Sequence, residues 1–535
     1  MPAWLAAFVW LIPGGPTSPP AVEPAPLSRV LAAEAHRRQV IEKVGPAVAC
    51  VFARDSRAGG GSGVIIDEHG YGLTNFHVIA GMLQSRIGEI GLPDGKLRDI
   101  DILGIDPGGD VAMFRVRGGE ALMAAPLGDS DGLRIGDPVL AMGNPFGLSE
   151  DYAPTVTLGI VSGLHRYQKG IHGALTYTDC IQVDASINPG NSGGPLFDLD
   201  GRLIGINGRV AIEERGRVNV GVGFAIGINQ IKRFIPMMRA GLAVPHASAG
   251  FTVVDENGVV VVDQIDEDCG AYRAGLRGGD RVESFAGVRL NCANQFLSVL
   301  GTFPGDWPIE VAYRRGDTTR RFDVRLEAAP LPRLTRRDPA NHPGAFDPYA
   351  PHPTMQTANR LAVKRLFRRL HESAGGAAAL KNVRSVEFRG ICGAKGKSEA
   401  TPIVMTLGAA HATGADGAAT PEDYQASILW TLMTLMGDPA DAGYRVVAAD
   451  QVNDRIAAVL ENENGDRPPY RAWIDDENGH LLAIEFKWPH DGRRYRFQYD
   501  ELDRSGPLKL PRRRIDLIDG RLTGETRFDE ITVAD

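Results

Sequence analysis

The chain has 535 residues, of which 65 are Gly and 35 Pro, a share above average usage but short of low-complexity composition. A formal net charge of −8, from 58 basic and 66 acidic residues, gives no basic surface for nucleic acid, and five scattered Cys exclude a disulfide scaffold and a Cys-type zinc site. Collagen, coiled coil and all-helical bundle are excluded as well, leaving a turn-rich, mainly β protein of two to four domains of about 100–200 residues each.

The chain begins with an apolar run, Ala3 to Ile12, which Pro13 and Gly14 end. It is too short for a bilayer, which needs about 20 residues, but suits the core of a signal peptide. The first basic residue is Arg29, so a basic n-region is missing. Two readings stay open. One is an export signal, giving a periplasmic or otherwise exported protein that this segment could hold at a membrane; the other is an inert apolar tail. Residues 13–27 are Pro-rich linker, and 29–43 carry helix formers at helical spacing. From 46 to 230, short β-branched runs alternate with Gly, Asn-Gly and Asp-Gly, a barrel or sandwich signature.

A smaller unit of the same style follows at 250–328, with a helix near 292–300. Seven Pro mark 330–353 as a linker, and Pro-rich linkers are semi-rigid spacers, so the part beyond is expected to be mechanically separate. Helices are expected at 358–372 and 422–436, and a loop at 410–420. From 443, alternating strands are punctuated by Asn478-Gly479, Asp491-Gly492 and Asp519-Gly520, predicting an antiparallel α+β domain. The expected division is 1–28 signal-like segment and linker, 29–243 first domain, 244–330 second, 331–358 linker and 359–535 third.

Chemistry concentrates in the first domain. Gly190-Asn191-Ser192-Gly193-Gly194 puts a serine on a glycine-flanked turn, as a nucleophile with nearby backbone N–H donors requires. His77 ends an apolar strand upstream, and Asp110 opens another. A serine hydroxyl needs a base and the base an orienting carboxylate, so the three form a nucleophilic set in the order His, Asp, Ser. Asp106 is the alternative carboxylate; Asp110 is preferred, with Asp106 capping the Pro107-Gly108 turn.

With these motifs, residues 45–235 resemble the trypsin-fold serine proteases of the high-temperature-requirement (HtrA/DegP-type) family. The stretches are GSGVIIDEHGYGLTNFHVIAG (61–81), DPGGDVAMFRV (106–116), AMGNPFGL (141–148), VTLGIVSG (156–163), QVDASINPGNSGGPLFD (182–198), RLIGING (202–208) and GVGFAI (221–226). The resemblance implies a double β-barrel with the site between barrels. It makes His77 the general base, Asp110 the orienting carboxylate and Ser192 the nucleophile, with the N–H groups of Gly190, Asn191 and Ser192 as oxyanion hole. At the S1 pocket, Ser186 and Ile187 stand where an acidic base would recognise Lys or Arg, with Ile206, Asn207 and the Gly221–Gly223 loop as walls. A basic P1 side chain would be desolvated without a partner, so small or medium aliphatic P1 residues are expected.

Residues 250–328 resemble a PDZ domain of the bacterial protease type through Ala274-Gly275-Leu276 and Gly279-Asp280, which implies a groove for C-terminal peptides with its carboxylate loop at Ala249, Gly250, Phe251 and Thr252. The run WIDDENGHLLAIEF in the last domain faintly resembles the curved-sheet lipoprotein-sorting fold, against the plainer reading of an accessory β-domain. His480, His490 and Asp491 are read as turn residues, and no metal or cofactor is expected. No P-loop sequence is present, so the leading function is an ATP-independent serine endopeptidase for unfolded or tail-exposing proteins. The alternatives are a chaperone-like peptide-binding scaffold and a lipid or lipoprotein handler with a protease module. By the resemblance, a homotrimer or higher oligomer is expected.

Overall fold

The computed structural model describes residues 27–54, 56–144, 151–168, 177–210, 221–332, 347–381, 383–395, 400–408, 420–435, 437–462, 469–502 and 508–534. The apolar segment at 1–26, much of AMGNPFGL and nearly all of the 410–420 loop lie outside them. Among the described residues, no helix is long and apolar enough to cross a membrane, and all five Cys are free thiols.

Helix α1 (Leu27–Val44) leads into six strands, β1 (Val48–Ala53), β2 (Ser56–Ile65), β3 (Tyr71–Thr74), β4 (Ile87–Gly91), β5 (Leu97–Asp106) and β6 (Val111–Val116). They close as β1-β2-β3-β6-β5-β4, with helix α2 (Phe76–Ile79) between β3 and β4. The second barrel holds β7 (Pro138–Gly143), β8 (Thr155–Gln168), β9 (Tyr177–Val183), β10 (Pro195–Phe197), β11 (Leu203–Val210) and β12 (Gly223–Gly227), in the order β10-β11-β12-β9-β8-β7. Closure leaves neither sheet an open edge, and each interior fills with apolar residues such as Val64, Ile102 and Phe114 in one and Val139, Val161 and Ile204 in the other. Helix α3 (Ile228–Arg239) then crosses back to pack on β5 and β6.

The next unit has short strands β13 (Ala247–Ser248), β17 (Val288–Arg289) and β20 (Glu327–Ala328) beside a main sheet of β14 (Phe251–Glu256), β15 (Val259–Ile265), β16 (Arg281–Phe285), β18 (Pro308–Arg315) and β19 (Thr318–Arg325). The sheet runs β14-β15-β16-β18-β19, so β14 is an edge, and helices α4 (Gly270–Arg273) and α5 (Ala293–Leu300) flank it. Phe251, Phe285 and Phe296 tie sheet to helix, with ring centroids 4.9–6.4 Å apart.

Beyond the Pro-rich stretch come α6 (Pro353–Ser373), α7 (Ala377–Lys381), β21 (Ser385–Ala394), β22 (Ala400–Gly408), α8 (Pro421–Thr434), β23 (Tyr444–Val452), β24 (Arg455–Asn462), β25 (Tyr470–Asp475), β26 (Leu481–Lys487), β27 (Arg494–Leu502), β28 (Pro511–Ile518) and β29 (Arg521–Ala534). The nine strands form one antiparallel sheet, β22-β21-β29-β28-β27-β26-β25-β24-β23. One face is filled by side chains of α6 and α8, among them Leu366, Phe367, Tyr424, Ile428 and Leu432. The hairpin signals fall at its turns: Gly479, Gly492 and Gly520 have φ of 79°, 70° and 75°. His480 and Asp491 serve those turns, through His480 O accepting from Asp475 N and Asp491 Oδ1 accepting from Arg493 N.

The expected mechanical separation of this last unit is corrected. Helix α3 packs on β23 and β24, and α6 packs on β5. Asp476 lies between Arg239 of α3 (2.7 Å) and Arg365 of α6 (2.8 Å). Arg239 is only 6% exposed and also stands over the Tyr71 ring. Arg86 reaches from the first barrel to Pro348 O at 2.8 Å, and Arg325 of β19 grips Asp450 of β23 at 2.9 and 3.1 Å. Composition marks the Pro stretch as spacer-like, but paired charges on both sides hold the flanking units together.

Candidate active site

Asn75 caps α2, and its Nδ2 donates to Asp110 O at 2.9 Å, so the start of α2 is fastened to the turn between β5 and β6. That brings His77 onto Asp110. Nδ1 of His77 lies 2.8 Å from Asp110 Oδ2, and the His77 backbone N–H donates to Oδ1 at 2.9 Å. The carboxylate is buried, its side chain 1% exposed, whereas the imidazole is 40% exposed. Such a pairing holds the proton on Nδ1 and leaves Nε2 as the base. Asp110 sits at φ 59°, a left-handed conformation that Asp tolerates in a tight turn. Tyr177, at the start of β9, donates its hydroxyl to Asp110 Oδ2.

Asp106 takes a different role. It is fully buried, accepts from Gly109 N at 2.8 Å as a turn cap, and meets His246 Nε2 at 2.6 Å. His246 Nδ1 is 2.8 Å from Gly301 O. Burial presses on the His246 imidazolium, but the Asp106 carboxylate and the Gly301 carbonyl outweigh it and hold the group above its ordinary value.

Ser192 lies on the turn before β10. Gly190 and Gly193 have φ of 105° and 85°, and a Cβ on Gly193 would fall 2.3 Å from Ser62 O and Thr74 Oγ1, so only glycine fits there. Ser62 pins the turn: its N–H donates to Ser192 O at 2.8 Å and its hydroxyl to Gly190 O at 2.6 Å. The Ser192 hydroxyl donates to Gly208 O at 3.1 Å.

Three sequence expectations need adjustment. The Asn191 N–H donates to Asn188 O at 2.9 Å, so it is not available as an oxyanion donor; the amides of Gly190 and Ser192 have no partner among the described residues. Asn207 is buried, and its Nδ2 donates to Pro195 O at 2.9 Å, so it braces the nucleophile turn from beneath instead of lining a pocket. Ile206 is likewise buried, in the second barrel. Ser186 accepts through its carbonyl from Thr157 Oγ1 and Asn191 Nδ2 at 3.1 and 3.3 Å. Ile187 is buried against the bare Cα of Gly223, where a Cβ would come within 2.7 Å of its Cδ1.

In the smaller unit, Gly250 has φ 71° and its carbonyl accepts from Asp266 N at 2.9 Å. Ala249 and Phe251 are each 7% exposed, and Thr252 is exposed at the start of the edge strand β14. Sequence reasoning missed Tyr177, Ser62 and His246. The run of small residues around Ser62 is a faint signal for close approach; Tyr177 and His246 carry none, because their partners lie 67 and 140 residues away.

An imidazole paired with a buried carboxylate on one six-stranded barrel, and a serine on a glycine turn of a second six-stranded barrel, are the elements of the trypsin-fold class of serine hydrolase sites. A family model for the trypsin-like peptidase domain matches residues 61–206. The chain is 37% identical over 257 residues to the periplasmic serine endoprotease DegP of Escherichia coli (strain K12), covering 46% of this chain and 52% of that protein. It is 35% identical over 298 residues to the putative serine protease HhoA of Synechocystis sp. (strain ATCC 27184 / PCC 6803 / Kazusa), covering 51% of this chain and 71% of that protein. A solved structure, the HtrA-type protease AlgW with a tripeptide, is 32% identical and covers 55% of this chain and 98% of its own, at a TM-score of 0.45. The chain thus spans about half the length of the DegP relatives it matches. The chain belongs to the HtrA-type serine proteases.

Proposed function

We propose that the protein is an ATP-independent serine endopeptidase that cleaves unfolded or tail-exposing proteins. The observation that carries this is the His77 Nδ1 to Asp110 Oδ2 contact of 2.8 Å on one barrel, with Ser192 on a glycine turn of the other. The hydroxyl of Ser192 leaves Gly208 O, swings to His77 Nε2 and attacks the scissile carbonyl as its proton passes to the imidazole. The N–H groups of Gly190 and Ser192 take the oxyanion, and His77 returns the proton to the leaving amine. Water then hydrolyses the acyl-enzyme by the same route. Ser186 and Ile187 offer no carboxylate to a basic P1 residue, which favours small or medium aliphatic ones.

The smaller unit acts as a PDZ module. Its edge strand β14 is open to an added peptide strand, and the loop at 249–252 is suited to a C-terminal carboxylate, for recruitment or regulation. The periplasmic naming of relatives and the apolar N-terminal run support an exported protein that acts in protein quality control. An oligomer, a trimer or larger, is part of the same reading.

The test is labelling with a fluorophosphonate probe together with casein cleavage, wild type against Ser192→Ala. Losing the nucleophile is expected to abolish labelling and lower turnover about 10⁴–10⁶-fold with the circular dichroism spectrum unchanged. A variant that still cleaves casein at the wild-type rate rejects Ser192 as the nucleophile.

A further inference from the structure

The catalytic set is divided between two bodies. His77 and Asp110 belong to the first barrel, and Ser192 belongs to the second. Their relative placement has to hold to a fraction of an ångström, since a displacement of about 1 Å can cost 10²-fold in rate. One side chain of the second barrel reaches the carboxylate directly. Tyr177 opens β9, is 4% exposed, and donates its hydroxyl to Asp110 Oδ2, the oxygen that also faces His77 Nδ1.

The same ring touches the nucleophile's side of the site. A Cβ on Gly208 would lie 2.6 Å from Tyr177 Cε1 and 3.3 Å from its hydroxyl oxygen, so the ring's Cε1 edge lies against the β11 backbone at Gly208. It is the carbonyl of Gly208 that accepts the Ser192 hydroxyl. Tyr177 therefore meets the carboxylate at its hydroxyl and the strand that holds the serine along its edge.

We propose that Tyr177 is a positioning residue that sets the Asp110–His77 pair in register with Ser192 across the barrel interface; this rests on the serine endopeptidase reading. Its hydrogen bond does two things. It fixes the rotation of the carboxylate, which among the described residues is otherwise anchored by its own barrel, through His77. It also takes up part of the charge on Oδ2, which leaves less to stabilise the imidazolium. Cys180 on β9 also feels the Asp110 charge, and burial pushes that thiol well up, so it stays neutral.

The experiment uses the full chain with a short fluorogenic peptide, comparing wild type with Tyr177→Phe, which keeps the ring and removes the donor. The expected result is a fall in kcat of about 10–100-fold with KM within about twofold, since a hydrogen bond to a charged group is lost while the substrate contacts stay. The acidic limb of kcat/KM should also rise by about 0.5–1 pH unit, because the unshared carboxylate holds the imidazolium more tightly. A merely structural tyrosine would lower the melting temperature without moving that limb. Should Tyr177→Phe fail to fold, 3-fluorotyrosine placed at 177 decides: its more acidic hydroxyl donates more strongly and should lower the limb. A folded Tyr177→Phe, or the fluorinated protein, with unchanged kcat and an unchanged limb overturns the assignment. A wild type that fluorophosphonate does not label overturns the protease reading, and the register role with it. A labelled, active wild type beside an indifferent variant overturns the register role alone.

Discussion

Asp106 and Asp110 stand four residues apart on one turn, and only one of them meets His77. The sequence favours Asp110 because an apolar strand begins directly after it, and that strand, β6, pairs with β3, which leads into His77. Asp106 was legible as a turn cap, but its second partner was not. His246 comes from the far end of α3's exit and carries no local signal. The pair places a buried carboxylate between a turn of the first barrel and the entrance to the smaller unit. Folding raises the affinity of His246 for a proton, so the pair stabilises the fold below about pH 6.5, the ordinary imidazole value. That contribution is lost as pH rises through the elevated folded value. Removing the cation with His246→Gln leaves Asp106 buried and unpaired, a cost of about 3 kcal/mol at pH 6. Thermal melting should therefore separate wild type from His246→Gln clearly at pH 6 and much less at pH 9. An equal gap at both values would show that the imidazole acts by packing alone.

The secondary elements were legible where a local rule decides them. Asp-Gly and Asn-Gly at the last sheet's hairpins, and the β-branched runs of both barrels, each produce the element they suggest. The turn at Ser192 was legible for the same reason, since its glycines are required by backbone angles. Contacts between elements were not. Gly104 in β5 reads as an ordinary strand glycine, yet a Cβ there would fall 2.2 Å from Met238 Cα and 2.4 Å from Met238 O. Strand and helix α3 are thus in backbone contact, which no periodicity encodes. Gly104→Ala must push α3 away from β5, and overpacking of this kind costs about 1–3 kcal/mol or more. A lowered melting temperature is expected, with the helix displaced in a crystal structure of the variant. A variant that melts with wild type would mean that α3 has slack at this contact.

At the scale of the whole molecule, the sequence points to separable units and the structure joins them. The reason is chemical: an ion pair between Arg239 and Asp476 spans 237 residues, and neither partner announces it. Burial raises the cost of charging Asp476, but Arg239 and Arg365 more than offset it and hold the carboxyl down, at about 2. A depressed carboxylate stabilises above its unfolded value of about 3.9 and gives this up only as pH falls toward 2, so the joint is constant across physiological pH. Ending the chain after residue 330 would remove Asp476, uncover Arg239 and expose the face of α3 that packs on β23 and β24. The Arg239 guanidinium loses its partner but gains water, with Asp67 still 3.9 Å away, so the larger loss is the apolar helix face laid bare. The truncated chain should melt well below the full chain and self-associate, even though Ser192, His77 and Asp110 are all retained. Arg239→Met within the truncated chain should deepen the self-association, because it adds apolar surface where a hydrated cation stood. Calorimetry and light scattering on the three proteins check this. A truncated chain that stays monomeric and melts with the full protein would show that the last sheet rests on the protease without supporting it.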